Sequence, residues 1–332
     1  MAVIEQVASL LRTVLEQGLA GLCKAGLILQ QNQAGQRQFV FRHPIIQEVT
    51  YSMQLKVRRV ALHGAVAQVM EAYYQDRLDE FAGLIAYHYE AADERFTAAK
   101  YMARAARWIG ATDSGQAIKR WQSVWNLLKH TVRTVESDDL RSLAGGQIGV
   151  LGWREGLRIE EIEPILDEAV ALSGGRDPRM VQLLMIVGGR MQVSCGGTVD
   201  EFVARTRGAI ALTVGQDVGR AAMLNSLLSQ ALGWAGCVDE ALAANAAAME
   251  AADSIDSSDL AFVGFSIADW LVPMRGRLLL KQGQLRLAQE WLHKKSRDSG
   301  AQVDAMVQMV QHLGEIELAI ATSNVAAAEH HA

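Results

Sequence analysis

The chain has 332 residues and a formal net charge of −5, and half of its residues are hydrophobic although only 6% are aromatic. Alanine, leucine and valine supply most of the apolar fraction and only four prolines occur, which favours helices over a sandwich of short strands. A negative net charge gives no global basic field, so neither nucleic acid nor an anionic membrane is predicted as a partner.

The sequence carries no predicted signal for export or membrane insertion. Glu5 precedes the first basic residue, so the N-terminus lacks the basic segment of a secretory signal. No apolar run approaches the roughly 20 residues that a membrane span needs. Cys23, Cys195 and Cys237 lie far apart, which argues against disulfides and a structural zinc site, and we expect them to be small buried side chains. We therefore predict a cytoplasmic protein.

Two helices and a β-hairpin are predicted at the N-terminus. Apolar residues recur at helical spacing over residues 4–25, and we place the break between the two helices near Gly18. The hairpin strands are Leu27-Ile28-Leu29 and Gln38-Phe39-Val40-Phe41, on either side of the polar stretch 30–37.

The helix that follows begins at Pro44, since proline is tolerated in a first helical turn. Two helices, a two-stranded wing and a helix are the order of a winged-helix module, which we assign to residues 1–54. Such modules often bind DNA, but the predicted second helix, 14–25, offers only Lys24 and no arginine. A helix that contacts phosphates normally carries more positive charge, so DNA is disfavoured as a partner.

Residues 55–332 are predicted to form a stacked array of amphipathic helices. Apolar stripes of helical period are separated there by short polar or glycine-containing breaks. The predicted helices are 56–73, 77–91, 95–109, 114–130, 137–153, 160–173, 178–194, 199–213, 217–235, 238–252, 258–282, 284–297 and 302–322.

A turn signature recurs within this array. Gly236 is followed five residues later by Ala241, and Gly283 by Ala288. Two helices of a hairpin approach closely only where a side chain is small, and glycine accepts the positive φ of the turn. The pattern resembles tetratricopeptide repeats in divergent form, although these turns are further apart than the family's period of roughly 34 residues. The predicted fold class is all-α: a small winged-helix module and then a tetratricopeptide-like superhelix of antiparallel helical hairpins.

Three segments carry a more specific resemblance. FVFRHPIIQEVTY (39–51), LIAYHYEAA (84–92) and AAKYMARAA (98–106) resemble the end of the ATPase module and the region after it in bacterial signal-transduction (STAND, AAA-type) ATPases. In some members of that class, an adenylate or guanylate cyclase domain of class III precedes the ATPase, the winged helix and the tetratricopeptide region. The resemblance covers roughly the first third of the chain.

The resemblance implies a nucleotide-sensing role for His43, with Arg42 beside it. In related ATPases the histidine at this place reaches the phosphates of bound ADP, and imidazole suits the role because it donates hydrogen bonds and gains charge near neutral pH. Many members have an acidic residue after this histidine, where this chain has Pro44. The alternative is that His43 caps the helix that begins at Pro44 and packs against the wing.

Two further groups of residues are candidate binding sites. Lys56, Arg58 and Arg59 form a basic cluster, which we interpret as a patch for an acidic partner segment or the ATPase domain; the alternative is a solvated helix face. His63 and His88 lie in neighbouring predicted helices and are placed to face one another. No third ligand joins them at a suitable spacing, so no metal is predicted.

The sequence contains no phosphate-binding loop of the form G-x-x-x-x-G-K-[ST], and we predict neither catalytic residues nor a cofactor. The predicted function is a non-catalytic regulatory and protein-interaction region, either the C-terminal portion or an independent remnant of a multidomain bacterial signalling ATPase. Its partners are an ATPase domain in cis or in trans and a protein or peptide on the concave face of the array. The alternatives are a fragment of an adenylate or guanylate cyclase, or of an ATPase-linked transcription regulator.

Overall fold

The computed structural model describes residues 2–8, 10–33, 36–110, 112–152, 155–173, 175–213, 217–294 and 305–323. The chain divides into two compact units, Met1–Ala144 and Gly145–Ala332. Helices dominate both units, which confirms the predicted all-α class, and the strands of the described part form a single two-stranded sheet. None of the described helices has both the length and the apolar character to cross a bilayer.

The first unit begins with the predicted order of two helices, a hairpin and a helix, and continues with helices joined by short turns. Its elements are α1 (Ala2–Ala8), α2 (Arg12–Lys24), β1 (Ile28–Gln33), β2 (Gln36–Phe41), α3 (Pro44–Ser52), α4 (Lys56–Tyr73), α5 (Leu78–Ala91), α6 (Arg95–Gly110), α7 (Ser114–Lys129) and α8 (Val135–Gly152), which runs across the boundary between the units. Helix α1 packs against α4, and α6 packs against both α5 and α7.

The second unit consists of helices in the described part. They are α9 (Ile159–Ser173), α10 (Pro178–Ser194), α11 (Val199–Ala211), α12 (Val218–Trp234), α13 (Val238–Glu250), α14 (Ser257–Val263), α15 (Ile267–Lys281), α16 (Leu285–Leu292) and α17 (Ala305–Ala321). The pairs α10/α11, α12/α13 and α15/α16 pack as hairpins, because loops of a few residues place consecutive helices side by side.

The break between the first two helices is not near Gly18, where the sequence predicted it. Gly18 lies inside α2, and the chain turns at Leu11, whose ψ of 135° is extended. A Cβ added at Gly18 would meet nothing within 4 Å, so this residue faces open space. A glycine in an exposed helix interior costs about 1 kcal/mol but removes no backbone hydrogen bond, and the helix therefore continues through it.

The β-hairpin is present, but its strands are longer than predicted. Ile28 pairs with Phe41, and the antiparallel register continues through Gln31 with Gln38 and Asn32 with Arg37. The polar stretch expected to form the connection thus supplies much of the ladder. Both faces of a two-stranded ribbon can contact water, so its strands need no apolar alternation.

The predicted helices of the array are present, with one division and one shortening: the predicted helix 284–297 ends at Leu292, and residues 295–304, where two of the predictions fall in part, lie outside the described residues. Helices α4 and α10 begin and end where the sequence placed them, whereas the predicted helix 258–282 is two helices, α14 and α15. Gly264 ends α14 in the left-handed region with a φ of 82°. The hydroxyl of Ser266 then accepts a hydrogen bond from the backbone N–H of Asp269 and caps α15.

The turn signature has the predicted geometry. Gly236 and Gly283 have φ values of 80° and 75°, in the region that glycine adopts without a steric penalty. Ala241 and Ala288 are fully buried at the places where the second helix of each hairpin approaches the first. The small residues are therefore packing devices, as predicted.

The cysteines contradict the expectation of burial. Cys23 is half-buried, and Cys195 and Cys237 are exposed. Cys195 is the residue after the last turn of α10, and Cys237 is the residue before the first turn of α13. The ends of helices lie at the surface of a helical array, so these side chains contact solvent instead of the core.

Candidate interaction site

Exposed apolar side chains follow one another along α3 and the segment that joins it to α4. Ile45, Val49 and Met53 are 62%, 48% and 77% exposed, and they lie four residues apart, on one face of the helix. Leu55 and Val57 are 78% and 81% exposed. We name these five residues the docking face. Helix α3 has no buried residue, and contiguous exposed apolar patches of this kind mark interaction sites.

The predicted basic cluster borders this docking face. Lys56 and Arg58 are exposed, alternate along the chain with Leu55 and Val57, and make no ion pair within the described part of the chain. Arg59 differs, since it is half-buried and its guanidinium lies 4.8 Å from the centroid of the Tyr51 ring. Lys56 and Arg58 are therefore accessible to a partner, whereas Arg59 packs against Tyr51 of α3.

His43 and Arg42 precede α3 and are exposed. The backbone of His43 occupies the N-cap position, with φ −136° and ψ 138°, but its side chain makes no capping hydrogen bond. The N–H of Arg42 donates to the carbonyl of Leu27 at 3.0 Å, which closes the hairpin beside Gly26. Both side chains thus reach the surface at the N-terminal end of the docking face. Their role in nucleotide sensing remains a prediction.

A chain of polar contacts joins α3 to α4 and α5. The hydroxyl of Tyr51 lies 2.9 Å from Nε2 of His63, and Nδ1 of His63 lies 2.9 Å from Nδ1 of His88. The two histidines face each other, as the sequence predicted. Either tautomer of His63 satisfies both contacts: Nδ1–H of His63 donates to His88 while Tyr51 donates to Nε2, or Nε2–H donates to Tyr51 while His88 donates to Nδ1 of His63. We name Tyr51, His63 and His88 the polar chain.

The surroundings of the polar chain favour the neutral form of both histidines, because the pKa of each lies below its ordinary value. Burial, and then the neighbouring His63, lower the pKa of His88 to about 4. Burial and the charge of Arg59 also lower the pKa of His63. A protonated imidazole donates at both nitrogens and accepts at neither. If both histidines were protonated, neither Nδ1 could accept and the contact would be lost, so the neutral forms preserve it.

The second unit contains a buried ion pair that the sequence did not indicate. Arg220 and Asp259 are 2% and 4% exposed, with 2.6 Å between Nη1 and Oδ1. Nε of Arg220 also donates to Oε1 of Gln182 at 2.7 Å, and its Nη2 donates to the carbonyl of Arg179. Burial lowers the pKa of Arg220 and Asp259 opposes that shift. These contacts connect α10, α12 and α14, so they serve the packing of the unit.

A cavity of about 380 Å³ lies between α15, α16 and α17. Val272, Pro273 and Leu292 form apolar walls, while Lys294 and Gln311 contribute polar groups. No residue that the sequence nominated lies there. Among the described residues, no cluster of three or more histidine, cysteine or acidic side chains is arranged to hold a metal ion.

The sequence and the structure both indicate an interaction site around α3. The sequence nominates the charged residues on either side of the helix, whereas the structure adds the apolar residues of the docking face. Arg42 and His43 precede α3, and Lys56 and Arg58 follow it in the first turn of α4, so the two nominated groups flank the same helix along the chain. The exposure of the apolar stripe was missed. Apolar residues at a spacing of four are usually assigned to a buried face, and only the absence of a packing neighbour distinguishes the two cases.

Comparisons with known proteins give limited information. No protein-family model matches the chain, and no curated protein matches it. One similar solved structure is a Signal Transduction ATPase with Numerous Domains (STAND) protein with a tetratricopeptide repeat sensor from Pyrococcus horikoshii, with 12% sequence identity and a TM-score of 0.44. The match covers 97% of this chain and 57% of that one, so the chain spans little more than half of its length. Neither value is high enough to transfer a function.

Proposed function

We propose that the chain is a non-catalytic regulatory and protein-interaction region of a bacterial signalling ATPase, active in the cytoplasm. The N-terminal winged-helix-like module packs against an ATPase domain, in cis or in trans. The helical hairpins present a surface to a protein or peptide, as helical arrays commonly do. The observation that carries this proposal is the docking face, a helix whose apolar stripe has no covering element in the described part of the chain.

The energetics of the docking face favour a covered state. Fully burying one side chain of this size contributes roughly 1.5–3 kcal/mol. Five such residues at exposures between 48% and 81% therefore leave several kcal/mol unrealised, which a partner surface of matching shape would recover. Side chains that serve only local packing would be covered by the unit itself.

His43 has a place in this proposal. It occupies the N-cap position of α3, two residues before Ile45 of the docking face, and a partner on α3 would bring its nucleotide near the imidazole. A hydrogen bond from His43 to a phosphate of ADP would then stabilise the docked state over the free one. A ligand shifts a conformational equilibrium only through such a difference in affinity.

The first test is turnover by the purified chain. We expect no release of phosphate from ATP or GTP with Mg²⁺, and no cyclic nucleotide, above a buffer blank. Steady turnover that co-purifies with the chain and disappears on a single substitution within residues 1–332 would refute a non-catalytic role. Sequencing upstream and downstream of this reading frame distinguishes the cyclase-linked and transcription-regulator versions of the parent protein.

The second test is hydrogen exchange of the chain with an ATPase domain from the same or an adjacent reading frame. We expect at least a tenfold slowing of exchange in residues 44–58 when that domain is loaded with ADP. The double variant Leu55→Asp/Val57→Asp should abolish the slowing, whereas Arg286→Glu, at an exposed site on α16, should not. Unchanged exchange in 44–58 would contradict the docking role.

A further inference from the structure

The charge of the N-terminal region is opposite to that of the rest of the chain. Residues 10–62 contain seven lysine and arginine residues and two acidic residues, a net charge of +5. Because the whole chain carries −5, the remaining residues carry −10. The basic charge is therefore concentrated in the segment that also contains the docking face.

Exposed positive side chains precede α3 and alternate with the last two residues of the docking face. Arg42 precedes α3, and Lys56 and Arg58 follow it, all of them exposed. Glu48 is the one acidic residue of α3. The second acid of the region, Glu16, lies 2.9 Å from Arg37 and is thus already paired. An approaching partner thus meets an apolar stripe with one cation before it and two cations among its last residues.

We propose that the docking face binds an apolar segment of a partner protein that carries acidic side chains on both flanks. This inference rests on the proposed function, since it names the chemistry of the partner at the same surface. The apolar contacts supply most of the affinity. The acidic flanks set the orientation and raise the association rate, because charge complementarity acts mainly on specificity and steering.

Two other occupants fit the charges less well. A second copy paired through the same face by two-fold symmetry would bring two basic surfaces together, which is repulsive. An anionic membrane gains about 1 kcal/mol from each lysine or arginine at its surface. Three cations at the docking face would thus contribute about 3 kcal/mol, and the charge of −10 on the remaining residues opposes the approach to an anionic surface.

The test uses two fluorescein-labelled amphipathic peptides of about 18 residues, five helical turns, with leucine on one face. The remaining positions are glutamate in one peptide and lysine in the other. Fluorescence anisotropy with the full chain should show at least tenfold tighter binding of the glutamate peptide, with affinity falling as salt rises. Lys56→Glu/Arg58→Glu should remove or reverse the preference, and Leu55→Asp/Val57→Asp should abolish binding of both. Arg286→Glu, a charge reversal at an exposed site on helix α16 of the second unit, is the matched control.

Circular dichroism checks that each variant folds, which we expect because every substituted residue is exposed. Equal binding of the two peptides, or a preference that Lys56→Glu/Arg58→Glu leaves unchanged, would overturn the inference. So would dimerisation abolished by Leu55→Asp, or binding to phosphatidylserine vesicles stronger than to the glutamate peptide. If these peptide results fail while the ATPase domain still protects residues 44–58, the proposed function survives and only the partner chemistry is wrong.

Discussion

Tyr51 links α3 to the helix that follows it. Its hydroxyl contacts His63 and its ring lies beneath Arg59, whereas the docking-face residues of α3 contribute little burial. The polar chain then continues to His88 on α5. Polar contacts thus connect α3 to α4 and α4 to α5, and such contacts depend on protonation.

The first prediction concerns pH. The folded state disfavours the protonated form of His88, whose pKa falls from 6.5 to about 4. Its contribution to stability is therefore complete above pH 6.5 and is lost as the pH falls towards 4, because the unfolded chain gains its proton first. We expect a loss of about 2 kcal/mol, allowing for partial exposure. Hydrogen exchange of peptides from α4 and α5 between pH 7 and pH 4 measures it.

The variant His88→Gln removes the titrating group and should flatten this pH dependence. His130→Gln is the matched control, since His130 is an exposed residue of the same unit and should leave the profile as in the parent protein. A profile that is identical in the parent and in His88→Gln would show that the polar chain is not its cause.

At the residue scale, the sequence identifies which side chains are charged but not how deeply each is buried or what it contacts. Lys56, Arg58 and Arg59 form one cluster in the sequence, yet Arg59 is turned inward against Tyr51. The facing of His63 and His88 was predictable from helix spacing. Their lowered pKa values were not, because burial and tautomer depend on neighbours that only the folded arrangement specifies.

At the scale of elements, small side chains set how closely the hairpins pack. A Cβ added at Gly276 on α15 would lie 2.7 Å from Cγ of Leu292 on α16 and 3.4 Å from the carbonyl of Ala288. The two helices thus approach closely at this level, with Ala288 fully buried. Interiors packed to this density resist added volume.

The second prediction follows from this close approach. Ala288→Leu adds three carbon atoms where no space exists, and we expect it to destabilise the second unit by about 2 kcal/mol through overpacking. Thermal unfolding followed by circular dichroism measures the effect. Gln289→Leu introduces the same side chain at the next, exposed position and should change stability little. Equal effects of the two substitutions would contradict the packing role of Ala288.

The elements themselves were largely predictable, and the failures have a common origin. Helical periodicity located α4 and α10 from their apolar stripes alone. It misplaced two helix ends that involve glycine: Gly18 does not end a helix, whereas Gly264 does. Glycine permits a left-handed turn without requiring one, so the decision falls to the surrounding packing.

At the scale of the whole molecule, the sequence and the structure divide the chain differently. The sequence places a domain boundary after residue 54, whereas the first compact unit extends to Ala144 and thus joins the N-terminal module to α4–α7. The sequence pattern changes after residue 54, from a module with a hairpin to successive amphipathic helices. The packing of α1 on α4 crosses that boundary. The predicted boundary stays a prediction.

The third prediction tests that boundary by truncation. A chain of residues 56–332 should fold with unchanged helicity per residue, because α3 buries no residue. Its unfolding midpoint should fall by a few degrees from the loss of α1. A chain that starts at residue 95 is the control, since it removes α5 from the face of α6 and should lose helicity. If 56–332 is unfolded or aggregates, the N-terminal module is an integral part of the first unit.

The uncovered apolar face of α3 also has a consequence for abundance in the cell. A molecule that displays Met53, Leu55 and Val57 to solvent is a target for chaperones, for proteases and for sticking to other chains. If a partner covers α3 as proposed, copies made in excess over that partner are removed faster than covered ones. The steady amount of this protein would then follow the supply of the partner more than its own rate of synthesis.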